Sequence, residues 1–478
     1  MPSLPLLCAL FMALATAMGL SGCDDAPRFT QAEPGEARSG GAATVRKTDQ
    51  NAFSLPSANL PPSRRVDFSV GNSFFRSPWV IAPSTTTARD GLGPLFNTNA
   101  CQNCHIKDGR GHPPAPDAAN AVSMLVRLSI PDAQPYAKVI EHLGVVPEPV
   151  YGGQLQDMSV PGVAPEGKVR VEYTPVPVRF KDGTVVELRK PSLQVSQLGY
   201  GPMHPDTRLS ARVAPPMIGL GLLEAIPDEA ILANAEAQAR EKNGIAGRPN
   251  RVWDDVQQKT VMGRFGWKAG QPNLNQQNVH AFSGDMGLTT SLRPFDDCTE
   301  AQIDCKRAPN GNGPDGEPEV SDNILRLVLF YSRNLAVPAR RDVNSPQVLA
   351  GKSLFFQAGC QSCHTPKYTT SATAAEPELA NQVIRPYTDL LLHDMGEGLA
   401  DNRSEFKAGG RDWRTPPLWG IGLTETVSGH TQFLHDGRAR NLLEAVLWHG
   451  GEAQAAQRQV LAFNAEQRAA LLVFLNSL

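Results

Sequence analysis

The chain of 478 residues lacks an excess of charge of either sign. Its 45 Lys and Arg residues stand against 48 Asp and Glu residues, which gives a formal net charge of −3 at pH 7. Proteins that bind nucleic acid usually carry a basic surplus, so this balance argues against a nucleic-acid partner. The hydrophobic content of 41% is ordinary for a globular protein, and the length allows two or three domains with substantial cores.

The apolar leader lacks the length of a membrane-spanning helix. It runs from Leu4 to Leu20, is interrupted by Pro and Gly, and ends in Leu20-Ser-Gly-Cys23. That ending is the pattern of a bacterial lipoprotein signal, which is removed before an acylated cysteine. Its first three residues contain no Lys or Arg, a departure from the usual signal. We predict that residues 1–22 are cleaved and that Cys23 anchors the protein to a membrane, inner or outer.

Cysteine is scarce, and half of the eight cysteines lie in two copies of one pattern. Cys101-Gln-Asn-Cys104-His105 and Cys360-Gln-Ser-Cys363-His364 are both C-x-x-C-H. This spacing is typical of c-type haem attachment, because two thiols bond the porphyrin vinyl groups while the adjacent imidazole ligates the iron. The sequence therefore predicts two covalently bound haem c groups.

A zinc site or a thioredoxin-like redox pair could also use C-x-x-C. Neither explains a histidine directly after both pairs, no further cysteine pair lies close enough to complete a zinc ribbon, and no βαβ pattern surrounds either motif. Haem attachment is the better interpretation.

Apart from Cys8 and Cys23, the remaining cysteines are Cys298 and Cys305, which are free to form a disulfide in an oxidising compartment. Haem attachment, export and this pair together predict a periplasmic location. The pair opens a loop rich in Asn, Gly, Pro and Asp that we interpret as a surface linker. Oxygens of Asn310, Asn312, Asp315 and Glu317 could alternatively bind calcium, although their spacing matches no EF-hand loop.

The predicted fold is mainly α, with two cytochrome c-like haem domains. Residues 23–66 are predicted to form a flexible tether, 67–297 the N-terminal haem domain, 298–340 an interdomain loop and linker helix, and 341–478 the C-terminal cytochrome c domain. In the last domain, Ser345 to Phe356 predicts an entry helix, and Asn464 with Gln467 predicts the capping box of a closing helix.

An internal repeat supports two related domains. Arg212-Val-Ala-Pro-Pro-Met-Ile-Gly-Leu-Gly-Leu222 resembles Arg414-Thr-Pro-Pro-Leu-Trp-Gly-Ile-Gly-Leu423, and each copy follows its own C-x-x-C-H motif. The first copy lies much farther from its motif, so the first domain contains an insertion. Alternating apolar residues within 168–195, around Asp182-Gly183, predict that this insertion includes a β-hairpin, either a decoration or a lid.

The side chain opposite each proximal histidine decides what each iron can do. A six-coordinate haem suits electron transfer, whereas peroxide activation needs an open position with an acid–base group nearby. For the second haem, His449 falls on the apolar side of a short helix capped by Asn441, and Met395 is the competing ligand. For the first haem, Met217 is a possible ligand, and Glu224 is a lone carboxylate in an apolar run that could shuttle a proton.

Six segments resemble the bacterial di-haem oxidoreductases, sometimes labelled thiol oxidoreductases, which are related to the di-haem cytochrome c peroxidases. They are Arg89–Phe96, Tyr151–Gln156, Val213–Ala225, Gly263–Ala269, Tyr387–Gly396 and Phe433–Arg438. The resemblance implies that electrons enter at the C-terminal haem and that peroxide binds at the N-terminal one.

The same resemblance suggests roles for particular residues. Counting from His435 places His449 at the axial ligand position, where relatives usually have Met or Tyr. Glu224 corresponds to a glutamate that assists O–O cleavage, and Trp267 or Trp79 to a tryptophan between the haems. Arg240-Glu-Lys-Asn243 replaces the relatives' aspartate-rich loop, which argues against calcium.

The leading hypothesis is a lipid-anchored periplasmic peroxidase that takes electrons from a small cytochrome or cupredoxin-type donor and reduces hydrogen peroxide at the His105 haem. A di-haem electron carrier without peroxidase activity is the first alternative. An enzyme that uses Cys298 and Cys305 as a working thiol pair is the second.

Overall fold

The computed structural model describes residues 27–132 and 134–478. The predicted signal peptide, Cys23 and Asp24 lie outside these residues. Within them, none of the helices is both long and apolar enough to cross a membrane.

The α-helices of the described residues are short, and most lie in the second half of the chain. They are α1 (Arg65–Arg76), α2 (Cys101–Cys104), α3 (Ala137–Leu143), α4 (Leu220–Glu224), α5 (Asp228–Glu241), α6 (Leu274–Met286), α7 (Ile303–Arg307), α8 (Asp322–Asn334), α9 (Pro346–Gln357), α10 (Thr424–Ser428), α11 (Leu442–Leu447), α12 (Gln454–Ala462) and α13 (Ala465–Ser477).

The strands form several small antiparallel sheets. They are β1 (Leu95–Phe96), β2 (Met124–Ser129), β3 (Gln154–Leu155), β4 (Met158–Ser159), β5 (Lys168–Arg179), β6 (Val185–Ser196), β7 (Arg208–Val213), β8 (Arg251–Asp254), β9 (Lys259–Met262), β10 (Tyr368–Thr369), β11 (Val383–Ile384), β12 (Leu392–Asp394) and β13 (Asp412–Arg414). One sheet has three strands in the order β3-β2-β7, and the pairs are β1-β4, β5-β6, β8-β9, β10-β11 and β12-β13.

This composition corrects the predicted fold class. Helix makes up 31% of the structure and strand 17%, spread over small sheets. The prediction of a mainly α protein made of two cytochrome c-like domains was therefore wrong. The physical reason is that long stretches between the helices fold as loops and short strand pairs, whose short apolar runs carry little periodicity in the sequence.

The N-terminal segment also differs from its prediction as a flexible tether. From Arg28 to Pro62 the chain packs along the protein surface, with isolated bridges from Val45 to Pro338 and from Pro56 to Leu335. The Glu36 carboxylate is buried between Arg340 and the Lys352 ammonium, whose Nζ lies 2.8 Å from Glu36 Oε1. The N-terminal segment therefore packs against both α9 and the residues just before it.

The predicted β-hairpin is present as β5 and β6. The two strands are antiparallel, with Lys168 opposite Ser196 at one end and Arg179 opposite Val185 at the other. Its tip contacts the C-terminal part of the chain: the Phe180 ring is buried beneath the Arg468 guanidinium at 4.3 Å, and Arg468 binds Asp182 at 2.7 Å. At the base of the contact, Arg189 Nε donates to the Arg438 carbonyl at 2.8 Å. The hairpin therefore connects the two parts of the chain.

Helices α9 and α13 pack against each other, and the predicted capping box of Asn464 and Gln467 opens α13. Gly351 allows the close approach, because a Cβ there would collide with the Ala470 carbonyl and the Phe474 side chain. We expect Gly351→Ala to lower the free energy of unfolding by roughly 1–3 kcal/mol through overpacking.

Urea denaturation checks this expectation. Gly398→Ala is the matched control, since the nearest atoms to its Cβ belong to Trp448 at an ordinary 3.6 Å. Equal stability of the two variants would show that α9 and α13 do not need the glycine.

Candidate functional site

The two C-x-x-C-H motifs present their histidines in the same way. His105 follows α2, and its Nδ1 lies 2.8 Å from the carbonyl oxygen of Pro215. His364 follows a short 3-10 turn, and its Nδ1 lies 3.0 Å from the carbonyl oxygen of Tyr387. Because a carbonyl only accepts, each ring must donate through Nδ1, which leaves the Nε2 lone pair free when the ring is neutral.

Burial keeps both rings neutral. It lowers the pKa of His105 and of His364 to about 4, so that at neutral pH each imidazole offers an unprotonated Nε2. A neutral imidazole with its second nitrogen held by a hydrogen bond is the form that ligates a metal.

The four motif cysteines are unpaired, and they are not thiolates. Burial raises the pKa of Cys101 and of Cys360 to about 12, and it also raises the pKa of Cys104 and of Cys363. All four thiols line the same enclosed space. Raised thiol pKa values are the opposite of what a reactive thioredoxin-like pair needs. In the part of the chain that the structure describes, no group of potential metal ligands contains both cysteines of either motif, which argues against zinc held by a cysteine pair.

Among the described residues, one group of three potential metal ligands converges: Cys363, Asp389 and His393. The His393 ring lies between two carboxylates, with Nε2 2.9 Å from Asp389 and Nδ1 2.7 Å from Glu452. Burial opposes a charge on this ring, but the bonds to Asp389, Cys363 and Glu452 and the charge of Asp389 together outweigh it and raise its pKa to about 12. The ring is therefore held between two carboxylates, with each nitrogen facing one of them.

His449 lies just beyond α11, which the Asn441 side chain caps as predicted. Its Nδ1 is 2.8 Å from the Ala445 carbonyl, so its Nε2 is also free, and burial lowers its pKa. A charge on His449 would lower the pKa of His364, and both rings line one cavity. Met395, the competing ligand, is half-buried and faces the same space.

A single cavity of about 970 Å³ reaches both motifs. It is lined by all four motif cysteines and by His105, His364, His449, Met395 and Met217. The volume is at the upper end of the range typical of small-molecule and cofactor sites, roughly 300–1,000 Å³. The two motifs therefore serve one shared space rather than two separate surfaces.

Residues 35–478 match a family model described as "Di-haem oxidoreductase, putative peroxidase". The chain belongs to this di-haem oxidoreductase family. No curated protein sequence matches it. A hydrazine synthase structure from Kuenenia stuttgartiensis, determined under xenon pressure, is 16% identical to this chain, with a TM-score of 0.24. The match covers 38% of this chain and 63% of the hydrazine synthase chain, which is less than two thirds of its length.

The family implies two haem groups, and the residues of this di-haem oxidoreductase fit them. Each motif places two protonated thiols beside a neutral imidazole at the wall of the shared cavity. Thiols in this form, next to a histidine with a free Nε2, match the needs of thioether attachment and iron ligation.

Trp267 lies between the two copies of the repeated segment. Its indole N–H donates to the Val213 carbonyl at 2.8 Å, and its own carbonyl accepts from the Arg414 amide at 2.9 Å. Trp267 lines the cavity, whereas Trp79, the alternative, packs against Phe282 and does not line it. Of the two tryptophans, Trp267 has the position expected for a bridging residue.

Glu224 is not among the residues that line this cavity, so the cavity geometry does not support its predicted acid–base role. Glu224 Oε1 accepts from the Leu274 amide at 2.8 Å, and Oε2 pairs with Arg333 Nε at 2.6 Å. Leu274 is the first residue of α6, so the carboxylate satisfies an N-terminal amide of that helix. Glu224 therefore positions α6 and is held by Arg333 rather than facing the cavity.

We expect Glu224→Ala to lower the free energy of unfolding by about 1–2 kcal/mol, because an N-terminal amide of α6 and Arg333 lose their partner. The pH profile of catalysis should keep its shape. Urea denaturation and a pH series measure the two properties, and Glu224→Gln, which still accepts from the amide, should lose less stability. A pH profile that changed shape in Glu224→Ala would restore the acid–base role.

Asp285, at the end of α6, is a cavity residue that the sequence analysis missed. Its Oδ1 accepts from Gln154 Nε2 at 3.0 Å, and its carbonyl accepts from the Asn97 amide at 2.8 Å, just ahead of the first motif. Burial raises its pKa, and its charge raises the pKa of both motif thiols, Cys101 and Cys104. The carboxyl group therefore lies beside the first C-x-x-C-H motif.

Proposed function

We propose that this di-haem oxidoreductase is a periplasmic, lipid-anchored peroxidase that carries two covalent haem c groups and reduces hydrogen peroxide with electrons from a donor protein. The observation that supports peroxide chemistry best is the Asp285 carboxyl, buried in the cavity beside the first motif. A site that only transfers electrons has no need of an acid–base group there.

Haem, when bound, supplies the iron chemistry that accepts and delivers electrons. The protein residues hold it and move protons. Cys101, Cys104 and His105 would hold the first group, and Asp285 would accept a proton from peroxide and return it to the leaving oxygen. Gln154 keeps the carboxyl in place through its bond to Oδ1.

Cys360, Cys363, His364 and His449 would hold the second haem. The hydrogen bond from Nδ1 to the Ala445 carbonyl orients the His449 ring and keeps its Nε2 free to bind iron. Among the described residues, no comparable bond orients the side chain of Met395, the competing ligand. A bis-histidine centre favours electron transfer at lower potential over peroxide binding. We therefore assign electron entry to the second haem.

The cellular location rests on the sequence and on the disulfide. The leader with its Cys23 ending supports lipid anchoring, and the Cys298–Cys305 disulfide fits an oxidising compartment. A small cytochrome or cupredoxin-type protein is the proposed donor. Calcium stays a weaker suggestion, since Asn312 Oδ1 already accepts from the Thr289 hydroxyl at 2.6 Å.

Steady-state assays with hydrogen peroxide and a reduced cytochrome, before and after partial reduction of the purified protein, test the proposal. We expect donor oxidation that depends on peroxide, together with a high-spin haem signal in at least one reduction state. A protein with neither signal nor turnover would be an electron-transfer cytochrome instead.

Replacing Cys298 and Cys305 by serine tests a third possibility, that these cysteines act as a working thiol pair. If the disulfide is structural, the rate per folded molecule is unchanged. Loss of turnover in a variant that keeps both haems would favour the thiol oxidoreductase alternative.

A further inference from the structure

The cavity wall carries arginines whose charges are not fully paired. Arg110, Arg127 and Arg414 line the cavity, and in the part of the chain that the structure describes none has a carboxylate oxygen within 4.0 Å. Arg110 donates to the carbonyls of Gln432 and Leu434, and Arg414 to those of Gly266 and Thr415. Arg127 makes no side-chain hydrogen bond within residues 27–132 and 134–478.

Arg212 has one guanidinium nitrogen without a hydrogen-bond partner, whereas its Nε donates to the Ser210 hydroxyl at 3.1 Å. Its Nη1 binds Glu405 at 2.7 Å, but its Nη2 is buried without a hydrogen-bond partner, 3.8 Å from the nearest Asp401 oxygen. The side chain is 9% exposed and lines the cavity. A buried guanidinium N–H without an acceptor is costly, so an acceptor from outside the protein is expected.

Two of these arginines lie at the start of the two repeat copies. Arg212 stands three residues before Pro215 and Arg414 two residues before Pro416, and both are buried at the cavity wall. Each copy follows its own C-x-x-C-H motif. Each repeat copy thus contributes one arginine to the cavity wall.

The cavity also carries carboxylates, but among the described residues none of Glu148, Asp285 and Asp297 forms an ion pair with one of these arginines within 4.0 Å. Glu405 already receives both Arg212 and Arg403, and Glu452 is bonded to His393. Burial lowers the pKa of Arg110 and of Arg414 to about 10, which still leaves both charged at neutral pH. Planar guanidinium groups bind carboxylates through two parallel bonds, so the missing partner is an anion of this type.

We propose that Arg110, Arg127, Arg212 and Arg414, here called the cavity arginines, bind the carboxylates of the cavity ligand, namely the propionate side chains of the two haems. The inference rests on the proposed function in one respect, that both motifs hold haem. A free organic acid bound as substrate has the same carboxylate chemistry and is the alternative source.

Arg127→Gln and Arg414→Gln, in the full haem-loaded chain, test the proposal. Resonance Raman spectra report the propionate bending modes, and spectroelectrochemistry reports the midpoint potential of each haem. We expect each glutamine variant to shift these modes and to lower the potential of one haem, because a cation near the iron is lost. Lysine at the same position should restore most of the potential. Arg326→Gln, at an exposed pair with Asp67, is the control and should change neither signal.

The outcomes distinguish haem propionates from a free organic acid, and failure of the arginine proposal from failure of the proposed function. Unchanged propionate modes and potentials in both glutamine variants, and in the lysine variants if the glutamine ones do not fold, would overturn the proposal. Acetate or succinate that perturbs the wild-type spectrum, but not that of Arg127→Gln, would assign the arginines to a free acid instead. Two covalent haems per chain with unchanged Raman modes would reject only this inference, whereas a chain without haem would reject the proposed function itself.

Discussion

Replacing Asp285 by asparagine is expected to lower the turnover of hydrogen peroxide by about 10²- to 10⁴-fold, the usual contribution of a positioned acid–base group. Asparagine keeps the size of the side chain and its acceptor for Gln154, so the cavity should stay intact. Haem content and midpoint potentials should change little. The loss should therefore appear in kcat and in the peroxide dependence of the rate.

The pH dependence provides the second part of this test. Burial raises the pKa of Asp285 above the usual value of 3.8, and the group acts as a base only when deprotonated. Turnover should fall as the pH is lowered through this raised pKa, and Asp285→Asn should lose that step. Asp285→Glu, with the same chemistry on a longer stem, should recover part of the rate. If Asp285→Asn kept full turnover, another group would have to move the proton.

Replacing Lys268 by methionine is expected to lower the free energy of unfolding by about 3–5 kcal/mol, the typical cost of removing one partner of a buried ion pair. Lys268 is fully buried, and its ammonium lies 2.9 Å from Asp401 Oδ1, 2.9 Å from the Arg403 carbonyl and 2.7 Å from the Gly409 carbonyl. Methionine has a similar shape but leaves these three acceptors without the donor.

The effect should extend to the cavity wall. The Lys268 ammonium lies 4.5 Å from the centre of the Trp413 ring, and Trp413 stacks on His435 at 3.6 Å. Urea denaturation of the haem-loaded chain measures the loss. Lys306→Met is the matched control, since Lys306 pairs with Glu300 at the surface and should cost well under 1 kcal/mol. Similar stability of the two variants would contradict the structural role of Lys268.

Local features of the fold were predictable because their causes are local. The β5–β6 hairpin follows from alternating residues around Asp182-Gly183, and the α13 start follows from the Asn464–Gln467 capping box. The Cys298–Cys305 disulfide was anticipated by excluding the other cysteines. In each case, residues close in sequence carry the signal.

Features that depend on tertiary contacts were not predictable. Glu224 and Asp285 are both carboxylates near apolar helical residues, and only packing shows that one pairs with Arg333 while the other faces the cavity. The fold class was wrong for a related reason, since haem motifs suggested helical domains whereas the connecting segments form small sheets. The packing of residues 27–66 similarly depends on the distant Arg340 and Lys352.

The mass of the intact, denatured mature protein tests the central claim most directly. Two covalent attachments predict the polypeptide mass plus two haem groups, with peptides containing Cys101–Cys104 and Cys360–Cys363 each carrying one. A polypeptide mass without added haem, with free thiols at all four positions, would contradict the account.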